Sequence, residues 1–143
     1  MNNNIVLISG GFDPIHSGHI ALIDEASQHG EIVVLLNSDN WLKNKKGKFF
    51  LPYNERKIII GAIKNVIDVI EFNDNDKTCL EGIKSALKKY PNKKIFFANG
   101  GDRSGKNTPE KEFCNKNQIT TLWGIGGSYK KNSSSWILKK WEE

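Results

Sequence analysis

Two histidines stand three residues apart in Gly10-Gly11-Phe12-Asp13-Pro14-Ile15-His16-Ser17-Gly18-His19. At the opening turn of a helix, imidazoles at that spacing project to one side. The same turn leaves its backbone N–H groups without intrahelical partners, at the positive end of the helix dipole. Unpaired amides and two cation-capable donors together suit a phosphate. Gly10 and Gly11 permit a tight turn and close backbone approach to a ligand, and Gly18 leaves room between the rings. A zinc site would need further ligands: the remaining histidine is His29, and Cys79 and Cys114 form no CxxC unit. A plain capped helix with two incidental histidines stays open on these residues alone. The dinucleotide fingerprint GxGxxG is absent, because Gly10-Gly11-Phe12 breaks its spacing.

Two other clusters compete for a role. Lys43, Lys45, Lys46 and Lys48 crowd one stretch of a chain whose formal net charge is +5, which attracts polyanions of any kind. As a solvated loop they need no function; with Trp41, Phe49 and Phe50 as stacking residues they would make a patch for single-stranded nucleic acid. The run Gly100-Gly101-Asp102-Arg103-Ser104-Gly105-Lys106-Asn107 fits GxxxxGK but ends in Asn, without the hydroxyl that a P-loop offers to magnesium. Thr108-Pro109 also starts a helix later than a P-loop kinase or ATPase needs.

The elements that must position these residues are legible as alternating patterns. Short β-branched runs at Ile5 to Ser9, Glu31 to Leu36, Val66 to Ile70, Lys94 to Ala98 and Ile119 to Trp123 are apolar enough to be covered on both faces. Helical spacing separates them: Ile20, Ile23 and Ala26 before Gly30; Ile59, Ala62 and Ile63; and Leu80, Ile83 and Leu87, opened by a Thr78–Glu81 capping box and stopped by Pro91. Thr108-Pro109 opens a further helix, and a last one runs from about Ser134 to Trp141. This predicts an α/β fold, a Rossmann-like doubly wound parallel sheet of about five strands, in one domain over residues 1–143. Ligands of such sheets bind beyond the carboxyl ends of the strands.

Composition agrees, since 38% hydrophobic and 26% charged residues exclude a disordered chain. The start Met1-Asn2-Asn3-Asn4 has no basic region and precedes too short an apolar run for a signal peptide or membrane span, so we expect a cytoplasmic protein. Cys79 and Cys114 read as small buried hydrophobes.

The segment Gly11 to His19 resembles the HxGH signature of the cytidylyltransferase-like nucleotidyltransferase superfamily, whose members include glycerol-3-phosphate cytidylyltransferase and the adenylyltransferase domain of ADP-heptose synthase. The resemblance extends over nearly the whole chain. Asn37 to Trp41 through Lys45-Lys46 resembles the family's second-strand loop with its phosphate-binding lysine, and Tyr53 to Lys57 the segment whose arginine, here Arg56, opens the next helix. Gly100-Gly101-Asp102 resembles the family's Gly-Asp motif after the fourth strand, and Ser133-Ser134-Ser135-Trp136-Ile137 its final helix start. Two departures stand out. Ile67 occupies the place of a family aspartate, with Asp68 one step later, so either the strand register differs or that carboxylate is absent. Tyr129-Lys130-Lys131-Asn132 replaces the usual approach to the last motif.

The resemblance implies transfer of a nucleoside monophosphate to a phosphorylated small-molecule acceptor, such as glycerol phosphate or a sugar phosphate, with loss of pyrophosphate. CTP is favoured as donor over ATP, the heptose-type alternative. His16, His19 and Lys46 would be catalytic, with Lys46 or Lys45 reaching over the phosphates from a mobile loop. Gly10, Gly11, Phe12, Asp13, Gly18, Lys45, Arg56, Gly101, Asp102, Ser133, Ser134 and Ser135 would bind the nucleotide and its phosphates. Mg2+ bridged by phosphates, with no protein ligand, is the implied cofactor. The implied partners are these substrates, without nucleic acid or membrane, in a homodimer.

Overall fold

The computed structural model describes residues 3–100, 108–125 and 134–142. Charge-free apolar runs take the centre of the sheet, where both faces are covered. In β1 (Asn4–Gly10) and β2 (Glu31–Leu36), Ile5 to Ile8 and Ile32 to Leu36 are all buried. Successive side chains point to opposite faces, so Ile5, Leu7, Val33 and Leu35 build one core layer, and Val6, Ile8, Ile32, Val34 and Leu36 the other. With β3 (Val66–Glu71), β4 (Lys94–Gly100) and β5 (Thr120–Ile125) they form a five-stranded sheet in the order β3-β2-β1-β4-β5, paired parallel throughout. The chain winds outward from β1 in one direction and from β4 in the other. Between these strands lies the topological switch point, where such sheets open a crevice.

The helices depart from expectation in informative ways. α1 (Ser17–Ala26) buries Ile23 and Ala26 and ends before Gly30, but Ile20 is 44% exposed. The stretch expected to be a lysine-bearing loop contains a helix, α2 (Asp39–Lys46). Ser38 caps it, its Oγ accepting from the Trp41 N–H at 3.1 Å, and Gly47 closes it in the left-handed region at φ 85°. One buried residue, Leu42, leaves no apolar periodicity to find. In α3 (Tyr53–Gly61) the inward residues are Arg56 and Ile60, whereas Ile59 and Ala62 are exposed.

The Thr78–Glu81 capping box does not form. Thr78 Oγ1 donates to Asp76 and accepts from the Leu80 N–H, while Glu81 pairs with Lys84. In the helix that follows, α4 (Leu80–Lys89), Ile83 is fully buried and Leu87 partly so. α5 (Pro109–Lys116) starts as expected, Thr108 Oγ1 accepting from the Lys111 N–H at 3.1 Å. α6 (Ser134–Glu142) is the final helix.

The ambiguity at Ile67 resolves into a β-bulge. Ile32 pairs with Val66 but Val33 with Asp68, so Ile67 is the extra residue and is turned outward, 46% exposed. The bulge brings the next residue, Asp68, opposite Val33. Asp68 accepts from Tyr90 Oη at 2.7 Å and pairs with Lys89 at 2.6 Å, near the start of its strand and away from the carboxyl ends. Cys79 and Cys114 are buried free thiols; burial pushes them up to about 12 and about 11, so neither is a ready thiolate. Among the described residues no helix is long and apolar enough to cross a membrane.

Candidate active site

The loop leaving β1 is held by its own residues. The Asn37 N–H donates to Gly10 O at 2.9 Å, tying the ends of β1 and β2 together. Gly11 is buried, and a Cβ there would lie 2.6 Å from Leu42 Cδ2, so the missing side chain makes room for α2. Phe12 adopts φ 51°, its ring buried against His19 with centroids 4.7 Å apart. Asp13, only 1% exposed, precedes a cis proline and spends its carboxylate on the Phe50 and Leu51 N–H groups. Its contribution in this structure is to anchor the segment after α2.

His16 is the N-cap of α1. Its Nδ1 accepts from the Gly18 N–H at 3.0 Å, and His19 Nδ1 accepts from the His16 N–H at 3.2 Å. The rings stack with centroids 3.9 Å apart. This reciprocal cap uses each Nδ1 as an acceptor, which puts the proton of each neutral ring on Nε2. Burial, then His16, then Lys46 lower the His19 pKa from 6.5 to about 3. His19 is therefore uncharged at neutral pH. The two expected donors are thus brought together as a pair of stacked, oriented rings, of which His19 is held neutral by burial.

The cation comes from α2. Lys46 Nζ lies 2.8 Å from Asp13 O, and its charge is felt at His19. Its pKa is lowered, first by burial and then, against the opposing pull of Asp13, by Lys45 and Arg56. The rest of the lysine cluster disperses: Lys45 Nζ sits 4.7 Å over the Trp41 ring, Lys43 Nζ 5.4 Å over Phe49, and Lys48 pairs with Glu142. It makes no continuous basic stripe, and two of the proposed stacking aromatics already carry their own lysines.

Arg56 is 1% exposed and acts inside the fold. Its guanidinium donates to Leu51 O, Gly11 O, Asn37 O and Asp39 Oδ1 at 2.7–2.9 Å. Four of its five N–H donors thus tie the ends of β1 and β2 to α2 and α3. At the other side of the mouth, Ser134 Oγ donates to Pro14 O at 2.7 Å, which brings the first turn of α6 against the histidine loop. The structure so gathers Asp13, His16, Gly18, His19, Lys46 and Ser134 at the carboxyl end of β1, with Ser135 in the same first turn. Gly101, Asp102 and Ser133 lie outside the described residues, as do Arg103 to Asn107 and Tyr129 to Asn132.

A family model described as cytidylyltransferase-like matches residues 7–126, from β1 to the end of β5. The chain belongs to the cytidylyltransferase-like family. It is similar to the bifunctional protein HldE of Shigella sonnei (strain Ss046), 30% identical over 111 residues that make up 68% of this chain and 23% of that protein. It therefore spans under a quarter of the length of that relative. It is also similar to glycerol-3-phosphate cytidylyltransferase of Bacillus subtilis (strain 168), 38% identical over 66 residues, 46% of this chain and 51% of that one. The solved lipopolysaccharide core biosynthesis protein from Thermoplasma volcanium GSS1 shares the fold, with a TM-score of 0.62 at 24% identity over 83% of this chain and 92% of that one.

Within this cytidylyltransferase-like domain, sequence reasoning passed over one group at the site. Asp74, in the loop after β3, is buried and accepts from Asn37 Nδ2, the Ser38 N–H and Ser38 Oγ at 2.7–3.1 Å. No periodicity marks out Asp74 from Asn73, Asn75 and Asp76, and its burial follows only from the packing of its loop on the end of β2. With Trp41, Asn44, Lys45 and Lys77 it lines a cleft of about 290 Å³ beside α2.

Proposed function

We propose that the protein transfers CMP from CTP to a small phosphorylated acceptor, such as glycerol phosphate or a sugar phosphate, and releases pyrophosphate. The observation that carries this reading is the reciprocal histidine cap at the start of α1, with Lys46 beside it. An acceptor phosphate oxygen attacks the α-phosphorus, the new P–O bond forms, and the bond to the pyrophosphate oxygen breaks. No enzyme nucleophile is required, because the acceptor is already an anion. The barrier lies in aligning two anions and stabilising charge on the equatorial and leaving oxygens. His16 and His19 donate from Nε2 to the α- and β-phosphates, and Lys46 supplies positive charge to the same oxygens. The amides of Ser134 and Ser135, in the first turn of α6, hold the distal phosphates. Gly101 and Asp102 are assigned to the nucleoside by the family resemblance alone.

The nearby acidic groups are already engaged, Asp13 by two backbone amides and Asp39 by Arg56. This donor set of lysine, imidazole and amide suits Mg2+ that keeps phosphate and water ligands. When bound, the ion supplies charge neutralisation. The higher identity to a glycerol-3-phosphate cytidylyltransferase supports CTP, while the wider alignment with HldE supports the alternative, AMP transfer from ATP to a heptose-type phosphate. We further propose a cytoplasmic homodimer. The exposed isoleucines Ile58 and Ile59 of α3 and Ile67 of the edge strand β3 support the association, and the free cysteines a reducing compartment. Light scattering on the purified chain tests the dimer; a monomer at micromolar concentration contradicts it.

Pyrophosphate release measured for CTP, ATP, GTP and UTP with Mg2+ against a panel of phosphorylated polyols and sugars tests the chemistry. CTP with one acceptor class should turn over. Turnover with ATP alone would select the alternative, and no turnover with any pair, together with no triphosphate binding, would dismiss both.

A further inference from the structure

We infer that Asp74 is a positioning residue that sets the orientation of α2 and thereby places Lys46 at the phosphates; this rests on the nucleotidyltransferase reading above. Three donors converge on its carboxylate: Asn37 Nδ2 at 3.1 Å, the Ser38 N–H at 2.8 Å and Ser38 Oγ at 2.7 Å. The last is the informative one. A hydroxyl has one proton, and Asp74 takes it, so a lone pair of Ser38 Oγ is turned toward the Trp41 N–H and caps α2. Asp74 thus fixes the rotor on which the helix start depends.

Asn37 is gripped from two sides, its side-chain amide by Asp74 and its carbonyl by Arg56 at 2.8 Å. The loop holding Asp74 is itself closed by a turn, the Lys77 N–H donating to Asp74 O at 2.9 Å. From Ser38 to Lys46 the helix rises about 12 Å, at roughly 1.5 Å per residue. A short rigid rod held at its first residue carries any tilt to its far end, where Lys46 Nζ lies 2.8 Å from Asp13 O and close enough to His19 to lower its pKa. The three hydrogen bonds to its carboxylate come from Asn37 and from Ser38, the N-cap of α2, so the route from Asp74 to Lys46 runs through that helix.

A double-mutant cycle on the full chain tests this, with binding of Mg-CTP and Mg-ATP read by titration calorimetry and kcat/KM by pyrophosphate release. Asp74→Asn keeps the side chain's shape but loses the charge-assisted acceptors. It should weaken triphosphate binding about tenfold in the otherwise unaltered chain, the scale of a lost hydrogen bond to a charged group. In the Lys46→Ala background the same substitution should change binding by less than about twofold, because residues acting through one group do not add. Equal factors in both backgrounds would overturn the inference and leave Asp74 a purely structural residue. Should Asp74→Asn fail to fold, Ser38→Ala removes the oriented cap while sparing the carboxylate, with the same non-additive result expected and the same additive result overturning it. His19→Ala separates this inference from the reading beneath it. Unaltered binding and turnover there remove the nucleotidyltransferase assignment itself, whereas a large loss combined with an additive 74/46 cycle removes only the role of Asp74.

Discussion

An imidazole that accepts a backbone N–H at Nδ1 carries its neutral-form proton on Nε2, and the caps at His16 and His19 impose that tautomer. Removing one oriented donor from a phosphate-transfer site costs about 2.7–4 kcal/mol, so His19→Ala should lower turnover roughly a hundred- to thousand-fold. Its circular dichroism spectrum should stay that of the native chain. The acid response of stability has a definite sign. The unfolded chain binds a proton at His19 below about pH 6.5, while the folded chain resists it down to about pH 3. Between those values the unfolded state holds more protons, so this group favours unfolding increasingly as the pH falls from 6.5 toward 3 and has no such effect above 6.5. Melting curves of wild type and His19→Gln between pH 7 and pH 4 should therefore converge or cross on acidification. A wild-type loss no steeper than that of the variant would contradict a neutral His19.

At the scale of elements, α2 is wedged between the loop after β1 and the loop after β3. A methyl group at Gly11 meets Leu42 Cδ2 at 2.6 Å, and overpacking of this kind costs about 1–3 kcal/mol. Gly11→Ala should lower the chemical-denaturation midpoint accordingly, and Leu42→Ala in that background should cost less than it does alone. The buried Arg56 ties three carbonyls and the partly exposed Asp39. Arg56→Met strands the carbonyl acceptors, each buried group left without a donor costing about 1–3 kcal/mol, so the expected loss in urea unfolding is about 2–4 kcal/mol. A loss below 1 kcal/mol would show that water replaces the guanidinium.

For the whole molecule, a ligand that binds only the folded state stabilises it by mass action. At a hundred times its dissociation constant a nucleotide adds about 2.7 kcal/mol, which for a domain of this size raises the melting temperature by roughly 5–10 °C. We expect that shift with Mg-CTP and a smaller one with GTP or UTP, as read by calorimetric scans. Identical small shifts with CTP, ATP, GTP and UTP would mean that the base is not recognised.

The strands were legible because a strand buried on both faces must be continuously apolar, and Ile5 to Ile8 and Ile32 to Leu36 can be little else. The histidine segment was legible because turn, spacing and residue type coincide within ten residues. Hidden from the sequence were α2, whose single buried leucine gives no period; the bulge at Ile67, which exists only relative to the partner strand; and Asp74, buried solely because its loop folds onto Asn37 and Ser38. Local pattern thus determined the sheet, its winding and the place of the histidine segment at the carboxyl end of β1. Tertiary packing decided how the groups stand there: burial lowers the His19 pKa, Arg56 is turned inward and Lys46 Nζ reaches Asp13 O, because desolvation and hydrogen-bond partners depend on neighbours distant in the chain.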